Sequence, residues 1–146
     1  MKRLLFLLLG FLLVVKPAFA ATYPSPTGNI SDFSGTLTQQ QIATIDSSLQ
    51  NYRDATGNQI AVAIIKDLGG DTVENYAVNM FAQWKIGQKD KNNGILLLVS
   101  MAEHKIKIEV GYGLEPLLTD AKSGDIIRNS IAPKFKTNDY YGGILD

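Results

Sequence analysis

The chain has 146 residues, with fourteen Lys and Arg against fourteen Asp and Glu, one His and no Cys. That length suits one domain around one core, and the missing Cys excludes disulfides, thiolate catalysis and zinc-thiolate sites. The charge balance offers no basic stripe to meet phosphates, which argues against nucleic acid as a partner.

Residues 1–20 read as a secretory signal peptide. Lys2-Arg3 form a basic start, 4–15 an apolar run, and Ala18-Phe19-Ala20 a small-x-small cleavage site. A membrane span needs roughly 20 apolar residues, and Lys16-Pro17 cut this run short. Removing the peptide takes away Lys2, Arg3 and Lys16 and no acid. The mature 126 residues then carry eleven bases and fourteen acids, a net charge of −3. The expected location is periplasmic or extracellular.

Residues 21–35 are rich in Pro, Ser, Thr and Gly and read as an extended lead-in to a domain over 36–146. A first helix should start at Thr38, which with Gln41 fits a capping box. Ile42, Ile45, Leu49 and Tyr52 form its apolar stripe, and Gly57 ends it. The apolar run 59–66 reads as a strand buried on both faces. Gly69-Gly70 turn the chain, and Asp71 with Glu74 should cap a second helix. Its stripe is Val73, Tyr76, Ala77, Met80, Phe81 and Trp84, which spacing assigns to the core.

The run 95–99 is a second doubly buried strand, and 105–110 alternates Lys, Ile, Lys, Ile, Glu, Val, a strand with one wet face. Only 101–104 separate these two, so they should pair as an antiparallel hairpin. Strand, helix, strand from 59 to 99 is a βαβ unit with parallel strands. Thr119 and Asp120 should cap a third helix with Ile126, Ile127, Ile131 and Phe135 buried. Pro133 must kink or divide it. Asn138-Asp139 read as a further N-cap, and the stop at Asp146 suggests a final helix cut short. The predicted class is a three-layer α/β/α sandwich, a mixed sheet combining a parallel βαβ unit with an antiparallel hairpin strand and carrying helices on both faces.

Antiparallel pairing brings the loop before one hairpin strand beside the loop after the other. Loops 88–94 and 111–120 therefore share one end of the sheet, and they hold Asp90, Asn92, Glu115 and Asp120. Carboxylate and amide oxygens without His or Cys describe a hard-cation site, for Ca²⁺ or Mg²⁺. Against it, Asn92-Asn93-Gly94 also suits an ordinary turn, Asp120 also suits a helix N-terminus, and no EF-hand spacing is present. Gly111-Tyr112-Gly113 lacks the third glycine of a dinucleotide fingerprint, and no phosphate loop or GxSxG elbow occurs. His104 falls in the expected hairpin turn, exposed, which leaves no histidine for a Ser-His-Asp triad. Lys105 and Lys107 read as a solvated strand face.

Several segments carry a resemblance. SDFSGTL at 31–37, WKIG at 84–87, KNNGILLLV at 91–99, IEVGYGLE at 108–115, LTD at 118–120 and DYYGG at 139–143 resemble the TPM domain family. That family includes bacterial exported proteins and plant thylakoid-lumen proteins of photosystem II repair. The resemblance implies an α/β sandwich, divalent-cation binding and, for lumenal members, an acid phosphatase activity on phosphomonoesters. It also implies, for many bacterial members, a membrane helix and a Gly/Ser-rich tail beyond the domain. Where members carry Asp-Asn-Gly, this chain has Asn92-Asn93-Gly94, so one charge is missing from the expected site. Asp32 matches a family aspartate and joins the candidate ligands on that ground alone. The chain trace puts it at the opposite sheet end, where it would shape a turn. The expected role is a binding or assembly module of the cell envelope, with an envelope protein as partner; the alternative is a metal-assisted phosphatase.

Overall fold

The computed structural model describes residues 23–146; residues 1–20, read from the sequence as a signal peptide, lie outside the described residues. Four strands form one mixed sheet in the order β1 (Ile30–Asp32), β2 (Gln59–Ile65), β3 (Gly94–Ser100) and β4 (Lys105–Val110). β1, β2 and β3 run parallel, and β4 returns antiparallel to β3, pairing Ile95 with Val110 and Ser100 with Lys105. The parallel unit and the hairpin are those the apolar run and the alternation predict.

One strand is unexpected. β1 sits inside the stretch read as lead-in and pairs with β2 from Ile30. Three residues give no periodicity to read. What makes them a strand is tertiary: Ile30 is 2% and Ser31 0% exposed beside β2.

Helices cover both faces. α1 (Gln39–Thr56) has the expected capping box, with Thr38 accepting from the Gln41 amide and Gln41 accepting from the Thr38 amide. Gly57 closes it at φ 76°, a conformation costly for side chains with a Cβ. α2 (Val73–Trp84) is capped by Thr72, which accepts from the Asn75 amide. Asp71 was expected there. It instead accepts from the Thr72 amide one residue earlier, since the hydroxyl at 72 already meets the N3 donor.

α2 buries Val73, Ala77 and Met80 against alternate residues of β2 and β3, with Tyr76, Phe81 and Trp84 half-buried around them. Trp84 is thus not fully enclosed; its Nε1 donates to the Pro24 carbonyl at 2.8 Å. The opposite face buries Val62, Ile64, Leu97, Val99 and Ile108 under Ile45 of α1 and Ile131. Tyr52, placed in the apolar stripe of α1, is exposed near the helix end.

After β4 the chain forms α3 (Asp120–Ile126), a π-helical stretch (Ile127–Ile131), α4 (Ala132–Phe135) and α5 (Tyr140–Leu145). Pro133 has no amide hydrogen to give. The helix divides here, as expected, into α3, a wide π turn and α4, with the Ala132 amide donating five residues back to Ile127. The wider turn shifts the phase of the stripe, so Ile131 is buried while Ile126, expected inside, is 39% exposed. Asp139 caps α5 by accepting from the Gly142 amide. Among the described residues no helix is long and apolar enough to cross a membrane.

Candidate cation-binding loops

The end of the sheet where β2 and β3 begin and β4 finishes is held by backbone. Asn93 is 6% exposed and makes three hydrogen bonds. Its Oδ1 accepts from the Gln88 amide, its Nδ2 donates to the Gly57 carbonyl, and its own carbonyl accepts from the Gln59 amide. The Gln59 side chain in turn accepts from the Gly87 amide. A buried side-chain amide with both its oxygen and its nitrogen paired fixes a loop firmly.

The second loop locks onto the first. The Gly111 amide donates to the Gly94 carbonyl at 2.8 Å, and the Gly113 amide to the Asn92 carbonyl at 3.0 Å. A Cβ at Gly111 would strike the Asn92 carbonyl, and one at Gly113 the Lys91 carbonyl. The glycines of Gly111-Tyr112-Gly113 therefore serve close backbone approach, not a nucleotide phosphate. Leu114 is buried beneath this turn, while Tyr112 and Leu117 are 80% and 70% exposed on it.

Of the five predicted ligands, four belong to this end and one does not. Asp90 and Asn92 lie exposed on the first loop, Glu115 on the second, and Asp120 in the first turn of α3 behind the Thr119 cap. Asn92 adopts φ 48°, a left-handed conformation that Asn and Asp tolerate best. Asp32 stands at the far end of the sheet, after β1. Its Oδ1 accepts from the Ser34 amide and hydroxyl and the Gly35 amide, and its Oδ2 from the Leu37 amide. It builds the turn into α1, as the chain trace implied.

Glu109 is the charged group that sequence reading passed over. Its β4 face was expected to be wet, but α2 packs against β4 and Leu96 is its cross-strand neighbour. Burial pushes its carboxyl above the ordinary value, Asp120 and Glu115 add to the rise, and Lys107 opposes it. Glu109, Glu115 and Asp120 thus share one electrostatic neighbourhood. The available signal was the period-2 pattern, which put Glu109 two residues before the loop that carries Glu115.

The donor set is all oxygen, the chemistry of a hard cation. No three Asp, Glu, His or Cys among the described residues gather closely enough to form a ready cage.

Twelve chains of solved structure match this one. The N-terminal domain of a protein from P. gingivalis is 28% identical, with a TM-score of 0.74, covering 82% of this chain and 78% of that one. The N-terminal domain of the cg2496 protein from Corynebacterium glutamicum is 18% identical at a TM-score of 0.64, covering 86% and 79%. The BA42 protein of the psychrophilic bacterium Bizionia argentinensis is 21% identical at 0.67, covering 78% and 77%. These last two speak for the fold alone. No curated protein matches the chain. Residues 30–146, from the first strand to the last helix, match the TPM domain, and the chain belongs to that family.

Proposed function

We propose that this protein is an exported TPM domain that binds Ca²⁺ or Mg²⁺ weakly at loops 88–94 and 111–120 and acts as a binding or assembly module of the cell envelope. The observation that carries this reading is the interlock of the two loops through Gly111 and Gly113, which holds oxygen-rich segments together without using their exposed side chains. Glu109 lies beside these loops, where burial raises its carboxyl, Lys107 opposes the rise, and Asp120 and Glu115 add a smaller push from the same end of the sheet. A cation at the loops would meet Asp120 and Glu115 there. Asp90, Asn92, Glu115 and Asp120 are the residues that would hold it, and with Asn92 neutral the affinity should sit near ~10⁻⁴–10⁻³ M, the range of weak extracellular sites.

The binding reading is preferred to hydrolysis because His104, the one imidazole, stands in the hairpin turn at the opposite end of the sheet. No general base of that kind faces the loops. Calorimetry on two variants tests the proposal. Asn92→Asp should tighten Ca²⁺ binding and Glu115→Gln should weaken it, each roughly five-fold, the size of ~1 kcal/mol for one exposed charge. Unchanged affinity in both would refute it. Cation-dependent phosphomonoester hydrolysis, abolished by chelator, would move the protein to the phosphatase reading.

A further inference from the structure

At the other end of the sheet a cavity of about 270 Å³ opens between the hairpin turn and helices α4 and α5. Its walls are apolar. Val99 and Ile106 are cross-strand partners on the face under the helices. The rings of Phe135 and Tyr140 lie 4.9 Å apart, tilted by 52°. Ala132, small and one turn before Lys136 on the same helical face, leaves the space between them open.

The ionisable residues lining this cavity are His104, Lys105 and Lys136, with no Asp or Glu among them. Glu103, next in the turn, is engaged elsewhere. It accepts from the Ser100 hydroxyl and the Leu68 amide, bonds that hold its carboxyl below the usual range. The ion pairs of the described residues use Arg128 and Lys134, not Lys136. Strand alternation sends Lys105 toward the α2 face, so exposed Lys136 is the rim cation best placed to meet a ligand.

An apolar chamber with one basic rim and no acid selects a molecule with an apolar body and a single negative head. Its volume, at the lower edge of small-molecule sites, limits that body to about one ring or a short chain. We propose that this cavity binds a small amphipathic carboxylate, its body between Ile106 and the Phe135–Tyr140 pair and its carboxylate at the Lys136 ammonium.

The test titrates isotope-labelled protein with 3-phenylpropionate and with its neutral amide. Saturable amide shifts should appear at 99–106 and 132–140 for the acid, with the neutral amide binding more weakly. Lys136→Met, at an exposed position that leaves the core intact, should weaken the acid about two- to five-fold, the range of one exposed ion pair, and leave the neutral amide unchanged. Ala132→Leu should fill the chamber and remove both responses. Absence of saturable shifts, equal binding of acid and amide, or shifts centred on 88–94 and 111–120 would overturn the proposal. The cation reading would stand in each of the first two cases.

Discussion

Asp32 and Glu109 show how much a carboxylate's role depends on what surrounds it. Asp32 spends both oxygens on four donors of the turn into α1. Asp32→Ala should leave those donors unpaired and cost about 1.5–3 kcal/mol, read as a lower denaturant midpoint, with Ca²⁺ affinity unchanged. An altered affinity would tie it to the loops after all. Glu109 differs, because partial burial is the chief influence on its carboxyl. Its folded carboxyl is raised, so the folded state keeps the proton to higher pH than the unfolded chain does. Between the ordinary and the raised value the native state binds more protons, and stability must fall as pH rises through that window. Glu109→Gln should match wild type below the window and exceed it above. Denaturant midpoints from about pH 4 to pH 8 check this, spanning the ordinary Glu value; a gain independent of pH would contradict it.

Local signals were most legible where a side chain meets its own backbone. Thr38 with Gln41, Gly57 and Thr119 stand as caps where spacing predicts them, because a cap needs no distant partner. Thr38→Ala should cost about 1 kcal/mol, visible in thermal melts. β1 was illegible because its three residues become a strand only beside β2. Ile126 was misplaced because Pro133 forces a wide turn upstream, and the regular helical period cannot anticipate that. Trp84 joins the core only in part, held by Pro24 and facing Phe33 at 6.3 Å. Trp84→Ala should therefore cost about 3 kcal/mol, the low end for losing a core aromatic. Gly113→Ala should cost about 1–3 kcal/mol through overpacking, and it should loosen the loop pair along with the fold. An unaltered amide spectrum for loop 88–94 in that variant would show that the two loops are not coupled.

For the molecule as a whole, the sandwich was readable because two doubly buried runs, one alternating run and three helical stripes admit few arrangements. The candidate site was readable as a place. Antiparallel pairing put loops 88–94 and 111–120 together, and their backbones do touch through Gly111 and Gly113. It was not readable as a ligand cage, because whether Asp90, Glu115 and Asp120 converge depends on loop conformations that spacing does not encode. Asn93, whose amide ties the first loop to Gly57 and Gln88, looks in sequence like any turn asparagine. The same limit hid the cavity beside His104, which needs α4 and α5 packed over the hairpin before it exists. The most direct measurement is a Ca²⁺ titration of the labelled protein followed by amide shifts. Saturable shifts centred on Asp90–Asn92, Gly113–Glu115 and Asp120, with half-saturation near ~10⁻⁴–10⁻³ M, are the predicted result. No saturable shift, or shifts centred on 101–104 at the far end of the sheet, would contradict it.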